Sequence, residues 1–128
     1  MTRAIADTSV FIARESGRPL RVDRLPDELA VSVITVGELH AGVLAAPDPE
    51  RRDRRLATLQ EARALEPIPV DERVAAQWGR LRVALRDAGR SMPVNDSWIA
   101  ATALAHGVAV ATQDDDYDDA PGVTVVRV

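Results

Sequence analysis

The segment AIADTSVF, residues 4–11, decides the fold, because one carboxylate interrupts an otherwise small and apolar run there. Residues 3–6 have the short, apolar character of a buried strand. Asp7 follows that strand directly, with Thr8 and Ser9 behind it. An acid is expected at this position if the buried strand ends at the functional edge of a sheet.

Strands and helices alternate along the rest of the chain. Short apolar runs predict four further strands, at residues 30–34, 67–70, 108–112 and 123–128. Helical patterns lie at residues 9–15, 36–45, 49–64, 72–88 and 95–106. Glycines stand where three of these helices are expected to stop, at Gly17, Gly89 and Gly107. The alternation predicts an α/β domain with a mainly parallel central sheet, flanked by helices on both faces.

Further acids fall where the other strands are expected to end. Glu38 lies in the first turn of the helix that follows the second strand, and Asp114 and Asp116 come just past the fourth. Asp96 lies in the first turn of the last helix. Because the carboxyl ends of parallel strands meet at one edge of a sheet, these acids are expected to converge with Asp7.

Each acid alone has a structural explanation that needs no ligand. Thr35 and Glu38 have the spacing of a helix capping box. Asp96 fits a helix start capped by Asn95 or Ser91, where the helix dipole tolerates a negative charge. Taken singly, these residues therefore do not require a functional site.

The convergence of the acids is what favours a metal site. The aspartate run at residues 114–119 alone resembles a solvated turn, and Asp7 alone resembles the start of a turn. Four or five carboxylates at one edge, however, would repel one another strongly unless a cation lay between them. Hard divalent ions, which prefer oxygen ligands, fit such a place.

Two other kinds of site are excluded by spacing. Asp114, Asp116 and Asp118 imitate positions one, three and five of a calcium loop, but Asp119 and Val125 stand where that loop needs glycine and glutamate. The residues after the first strand lack the glycines of a dinucleotide or phosphate loop.

Length and composition predict one globular domain spanning residues 1–128. Hydrophobic residues make up 46% and charged residues 28%, and there is no cysteine, so disulfides, thiolate ligands and cysteine nucleophiles are excluded. Neither a signal-peptide pattern nor an apolar run of bilayer-spanning length is present in the sequence. We expect a cytoplasmic protein without a membrane segment.

Three segments carry a resemblance to a known family. They are IADTSVFIA at residues 5–13, SVITVGELHAGV at residues 32–43 and PVNDSWIAATALAHGVAVATQDDDY at residues 93–117. In this order the chain resembles PIN-domain ribonucleases, specifically VapC-type toxins of bacterial type II toxin–antitoxin pairs, over nearly its whole length.

The resemblance implies a single PIN-like domain and a metal-dependent endoribonuclease that uses Mg²⁺ or Mn²⁺. The acidic, catalytic and metal-binding site would comprise Asp7, Glu38, Asp96 and Asp114, with Asp116 as an accessory metal ligand. Polar residues that match supporting positions of the family are Thr8, Ser9 and Thr112. Tyr117 departs from the family, which usually has phenylalanine there, but it keeps the aromatic body.

The charge balance is compatible with an RNA substrate. The net charge is −4 and the five site acids carry −5, so the rest of the chain carries +1. All 16 basic residues are arginine, whose planar fork suits phosphates. Two arginine groups are candidates either for RNA contacts or for antitoxin contacts: Arg51, Arg52, Arg54 and Arg55, and Arg80, Arg82, Arg86 and Arg90.

The partners implied by the resemblance are an RNA substrate, a small DNA-binding antitoxin and a second copy of the chain in a homodimer. The apolar surface of helix 36–45 is a candidate for part of the contact. Two alternatives stay open. The acids could bind a structural metal ion or a basic peptide without catalysis, or the chain could be a PIN nuclease of RNA processing.

Overall fold

The structure, a computed structural model, describes residues 2–128, so Met1 lies outside the described residues. Its strands are β1 (Arg3–Ala6), β2 (Glu28–Ala30), β3 (Ala109–Thr112) and β4 (Val125–Arg127). They form one sheet in the order β2-β1-β3-β4, and every neighbouring pair is parallel. Ile5 at the centre pairs with Ala30 on one side and Val110 on the other. The expected parallel α/β architecture is confirmed.

Five α-helices surround the sheet: α1 (Thr8–Ser16), α2 (Val33–Leu44), α3 (Pro49–Arg63), α4 (Glu72–Asp87) and α5 (Val94–His106). A 3₁₀ turn, Val22–Arg24, leads into β2. Aspartate caps start two of the long helices, since Asp48 accepts from the N–H of Arg51 and Asp71 from that of Val74. Gly17 and Gly107 end α1 and α5 in the left-handed conformation that glycine adopts most readily, as their positions in the sequence indicated.

The alternation of side chains along β1 divides the core into two layers. Ala4 and Ala6 face α1, α2 and α3, where Phe11 and Leu59 are buried. Ile5 faces the opposite layer, which α4 and α5 fill. Small alanines on one face and larger residues on the other let both layers of helices pack closely on a thin sheet.

Helices α4 and α5 also meet through an aromatic pair. The rings of Trp78 and Trp98 stack with centroids 4.4 Å apart and planes 4° from parallel. The indole N–H of Trp78 donates to the hydroxyl of Ser97 at 2.9 Å. The guanidinium of Arg82 lies over the Trp78 ring, 5.3 Å from its centroid.

The expected strand at residues 30–34 is wrong in its bounds, because β2 ends at Ala30 and α2 already begins at Val33. Ser32 caps this helix by accepting the N–H of Ile34 at 3.0 Å. Glu38 therefore lies in the second turn, and the capping box expected from Thr35 and Glu38 does not form. The β-branched run favoured a strand, but the cap and the packing of the helix outweigh that propensity.

Two further expectations need correction. Residues 67–70 form no strand, and only an isolated bridge joins Ile68 to Ser32. Neither Asn95 nor Ser91 caps α5. Pro93 occupies the N-cap position of this helix, and no side chain makes a capping hydrogen bond there. Asp96 nevertheless lies in the first turn of that helix, as expected.

None of the five helices in residues 2–128 has both the length and the apolar character that a bilayer crossing requires.

Candidate active site

The site lies where the order of the strands reverses. The chain proceeds from β1 to β2 on one side, while β3 pairs with the other side of β1. Asp7 follows β1 and the residues from Gln113 onward follow β3, so both segments leave the sheet at the same edge. Such a reversal opens a crevice in parallel α/β sheets. The cavity here has a volume of about 270 Å³ and is lined by Asp7, Thr8, Ser9, Ile12, Arg18, Glu38, Asp96 and Asp114.

Asp7 is buried, at 2% exposure, and is held by three donors. Its Oδ1 accepts the hydroxyl of Tyr117 at 2.8 Å. Its Oδ2 accepts the hydroxyl of Thr112 at 3.0 Å and the backbone N–H of Ser9 at 3.4 Å, the latter as the cap of α1. These bonds fix the orientation of the carboxylate at the end of the central strand.

A relay of two hydroxyls positions Glu38. The hydroxyl of Thr8 donates to Oε1 of Glu38 at 2.7 Å. Because Thr8 has a single hydroxyl proton, it must accept from the hydroxyl of Thr35, 2.9 Å away. Thr35 is fully buried and lies one turn before Glu38 on α2. The two threonines thus tie the carboxylate of α2 to the start of α1.

Thr112 organises the opposite wall in the same way. Its proton goes to Asp7, so it accepts from the hydroxyl of Ser9 at 3.2 Å and from the backbone N–H of Asp114 at 2.9 Å. Ser9 in turn accepts the backbone N–H of Gln113 at 3.1 Å. The end of β3 is therefore joined to the start of α1, and Asp114 is held at the rim.

Crowding of like charges is strongest at Asp96. Burial, a hydrogen bond with Asp116 and the negative charges of Asp7, Asp116 and Glu38 together raise the pKa of Asp96 to about 7. A positive charge placed among these carboxylates would offset the repulsion that contributes to this rise.

Burial and nearby acidic charges also raise the pKa values of two neighbouring groups, Asp114 and Tyr117. Burial, followed by the charges of Asp7 and Asp116, raises the pKa of Asp114, and the positive charge of Arg18 opposes that rise. Burial beside Asp7 and Asp96 raises the pKa of Tyr117 far above its usual value. The phenol therefore remains a hydrogen-bond donor to Asp7.

The donor set fits a hard divalent cation. In residues 2–128 no three Asp, Glu, His or Cys side chains lie close enough together to hold a metal ion as they stand. The carboxylates instead line an open cavity, which suits Mg²⁺ or Mn²⁺ with part of the water shell retained. The raised pKa of Asp96 supports the same conclusion, because a cation among these carboxylates would offset the repulsion that contributes to it.

The structure brings the predicted residues together. Four acids line the cavity, and exposed Asp116 stands just outside the lining beside Asp96. The predicted supporting residues are likewise present: Thr8 and Ser9 line the cavity, and Thr112 bonds directly to Asp7.

Sequence reasoning missed three contributors to the site. The spacing of Thr35 indicates only a helix cap, whereas its hydroxyl supports Thr8. Tyr117 matches an aromatic position, but a buried tyrosine next to acids also needs a partner for its hydroxyl, and that partner is Asp7. Arg18 carries no motif, because its place at the cavity depends on how the chain turns after α1.

The arginines singled out in the sequence lie elsewhere or are already engaged. Arg55 donates to the backbone oxygen of Gly42 at 2.7 Å and lies beside Glu38 in a separate groove. Arg90 pairs with Asp119 at 2.6 Å. None of the eight lines the 270 Å³ cavity.

Comparison with known proteins agrees with the fold. A model of the PIN domain family matches residues 4–123. The chain is 51% identical to Ribonuclease VapC4 of Mycobacterium tuberculosis over 127 residues, which cover 98% of this chain and 97% of that protein. It is 47% identical to Ribonuclease VapC5 of the same organism, also over 127 residues, with 97% and 94% covered.

Solved structures give the same result. The crystal structure of VapBC-5 from Mycobacterium tuberculosis, a member of the VapBC family of toxin-antitoxin systems, superposes with a TM-score of 0.91 at 42% identity, covering 100% of both chains. FitAcB from Neisseria gonorrhoeae superposes with a TM-score of 0.77 at 30% identity and covers 96% of each chain. With these matches and the acidic edge of its sheet, the chain belongs to the PIN-domain family and, within it, to the VapC type.

Proposed function

We propose that this protein is an endoribonuclease that depends on Mg²⁺ or Mn²⁺ and acts as the toxin of a toxin–antitoxin pair. The observation that carries the proposal is the convergence of Asp7, Glu38, Asp96 and Asp114 on one cavity at the end of the central strands. The relatives named as VapC ribonucleases, about half identical over nearly the full chain, support the same activity.

The side chains have distinct parts in this proposal. Asp7, Glu38, Asp96 and Asp114 hold the metal, and Asp116 assists beside Asp96. A bound divalent metal supplies an activated water and neutralises the charge that develops on the phosphate during an in-line displacement. Tyr117 and Thr112 orient Asp7, and Thr8 orients Glu38, so the carboxylates are placed before the substrate arrives.

No side chain is required as a nucleophile. The chain has no cysteine. The hydroxyl of Ser9, which lines the cavity, already donates to Thr112 and accepts from the backbone of Gln113. Attack by water rather than by the 2′-hydroxyl of the RNA leaves a 5′-phosphate and a 3′-hydroxyl, which distinguishes this reaction from that of metal-free ribonucleases.

The direct test is cleavage of single-stranded RNA by the purified protein with Mg²⁺, with Mn²⁺ and with EDTA. We expect cleavage only with metal, and product ends that carry a 5′-phosphate. Cleavage that is undiminished in EDTA, or products with a cyclic phosphate, would contradict the mechanism. Metal binding without any cleavage would favour the alternative of a non-catalytic acidic module.

A small DNA-binding antitoxin and a second copy of the chain are the proposed partners. The named VapBC and FitAcB complexes support an antitoxin partner. On this protein, α2 offers exposed Val33 and Leu44, and a groove of about 260 Å³ between α1, α2 and α3 reaches Glu38. We propose that the antitoxin covers part of this surface, and that the pair works in the cytoplasm, where the RNA is.

Co-expression with the small protein encoded beside the toxin tests the partner. The pair should purify together and restore growth, and the toxin should elute as a dimer or a larger assembly. A monomer that binds no neighbouring gene product would contradict the proposal.

A further inference from the structure

A second cavity lies beside the acidic one and has the opposite charge. Its volume is about 410 Å³, and its lining includes Arg18, Arg21, Arg127 and Gln113. Arg18 lines both cavities. The two therefore meet at this residue, and we refer to the second as the arginine groove.

The loop that carries Arg18 and Arg21 is held in place. Gly17 turns the chain in the left-handed conformation, and the N–H of Arg18 then bonds back to the oxygen of Ala13 at 2.8 Å. The side-chain amide of Gln113 donates to the oxygen of Pro19 at 2.9 Å. Since Gln113 directly follows β3, the loop is fixed to the same sheet edge as the acids.

The three guanidinium groups of the groove differ in whether a carboxylate neutralises them. Within residues 2–128, neither Arg18 nor Arg21 takes part in an ion pair, and both side chains are exposed. Arg18 makes only a long contact of 3.5 Å with Oε1 of Gln113. Arg127, in contrast, is paired with Asp115 and Asp118, each at 2.6 Å.

We propose that the arginine groove binds backbone phosphates of the RNA strand that flanks the bond cut in the acidic cavity. The inference rests on the proposed function and adds to it the path of the substrate. An RNA strand with one phosphate among the acids must continue across the rim of that cavity, where the surrounding carboxylates repel it. Arg18 stands on that rim, and Arg21 extends the positive charge outward.

The chemistry of the groove suits phosphate rather than bases. Guanidinium groups bind phosphate oxygens through paired donors, and such contacts position a strand without reading its sequence. Its lining as a whole contains no aromatic side chain on which a base could stack. Arg18 and Arg21 are thus assigned as positioning residues that act on binding and alignment of the RNA.

The test compares two arginines of the same loop in a cleavage-silent background. Arg21→Ala and Arg24→Ala are each combined with Asp96→Asn, and binding of a fluorescent single-stranded RNA of mixed sequence is measured by anisotropy over a range of salt. Arg24 is exposed, carries the same charge three residues further on, and does not line the groove. Arg18→Ala is a second variant. Its RNA binding is measured in the same way, and its KM and kcat are measured in the protein that keeps Asp96.

Loss of one phosphate contact should lower the slope of log affinity against log salt by about 0.7 for a single strand, and weaken binding roughly five- to tenfold at low salt. Arg21→Ala should show this change and Arg24→Ala should not. In the active protein, Arg21→Ala should raise KM more than it lowers kcat. The effect should be the same for RNAs of different sequence.

Three outcomes would overturn the assignment. Arg21→Ala could bind RNA as tightly as the parent does. Arg24→Ala could weaken RNA binding as much as Arg21→Ala, which would mean that binding depends only on the overall charge of the loop. Arg21→Ala could instead leave RNA binding intact but lose the antitoxin, which would assign the groove to that protein. Failure of the proposed function is a separate result: RNA would bind with the expected dependence on Arg21, but metal would bring no cleavage.

Discussion

Asp96 is the residue whose ionisation differs most clearly from that of a free carboxyl, with a pKa of about 7 caused by burial and by its acidic neighbours. Replacing it with asparagine removes one of the proposed metal ligands while keeping its shape. We expect Asp96→Asn to lower metal-dependent RNA cleavage roughly a hundredfold or more, since even the loss of an outer-shell partner costs about 10- to 100-fold. The measurement is initial rate at saturating Mn²⁺.

The matched control for that variant is Asp53→Asn, an exposed acid on α3 away from the cavity. It should cleave RNA at the parent rate. Circular dichroism should show both variants folded. Full activity in Asp96→Asn would contradict the assignment of this carboxylate as a metal ligand needed for cleavage.

The hydroxyl of Tyr117 should contribute to the stability of the fold through its hydrogen bond to Asp7. It is a buried donor to buried Asp7, so Tyr117→Phe leaves one carboxylate oxygen with a donor missing. The free energy of unfolding in EDTA should fall by about 1–3 kcal/mol. Cleavage should persist, because Thr112 still orients Asp7.

Thermal or urea unfolding of both proteins in EDTA measures that loss. An unchanged stability would mean that the Tyr117–Asp7 bond contributes nothing. A loss of cleavage comparable to that of Asp96→Asn would mean that the phenol belongs to the reaction rather than to the support of Asp7.

The sequence predicted the acids at this scale but not the hydroxyls between them. Carboxylates at strand ends carry a recognisable signal, because parallel strands bring them to one edge. The bonds from Thr35 to Thr8, and from Tyr117 to Asp7, join residues 27 and 110 positions apart and depend on side-chain packing. No local pattern reports such contacts.

Replacement of glycine by alanine should have opposite effects on stability at the end of α1 and inside α4. Gly17 ends α1 with a φ of 72°, so Gly17→Ala forces a side chain into the left-handed region and should cost about 1 kcal/mol or more. Gly79 lies inside α4, where an added Cβ meets no atom within 4 Å. Gly79→Ala should therefore stabilise by about 0.5–1 kcal/mol.

Denaturant midpoints of the two variants and the parent provide the comparison. Because Arg18 follows Gly17, the Gly17 variant should also bind RNA less tightly, whereas the Gly79 variant should bind it as the parent does. Equal shifts in midpoint for the two would contradict the backbone argument.

The helices were predicted to within a few residues from their apolar spacing and glycine stops, and the second strand was the main error. Three of the five residues at 30–34 are β-branched and apolar, which is typical of a strand, yet only Ala30 belongs to β2. The end of the strand is decided by Ser32, whose side chain caps α2. The same serine bridges to Ile68, a contact that the local sequence does not encode.

For the whole molecule, the raised pKa of Asp96 sets the dependence of stability on pH. The unfolded chain loses this proton near pH 4 and the folded protein near pH 7, so in that window the native state holds more protons. Stability in EDTA should therefore decline as pH rises from about 4 to about 7 and then level off. In Asp96→Asn this decline should be smaller.

Melting temperatures between pH 4 and pH 8 in EDTA measure the effect, with Asp53→Asn as the control of equal charge change. A stability that rises through this window in the parent, and identically in Asp96→Asn, would contradict the assignment of the proton to this cluster.

Divalent metal should reverse the destabilisation at neutral pH. On the proposed function, the metal would bind the folded cluster and hardly bind the dispersed acids of the unfolded chain, so at 100 times the dissociation constant the gain would be about 2.7 kcal/mol. For a domain of this size that corresponds to several degrees in melting temperature. The increase with Mn²⁺ should be smaller in Asp96→Asn than in the parent, and an equal increase in both would show that Asp96 is not part of the metal site.

The stacked indoles of α4 and α5 give the molecule an optical property. Trp78 and Trp98 are the only tryptophans of the chain, and Trp98 lies two residues after Asp96 on the same helix. All intrinsic tryptophan emission and most near-ultraviolet dichroism therefore originate from one stacked pair beside the acidic edge. A change in that signal reports how α4 and α5 pack near Asp96, without any attached dye.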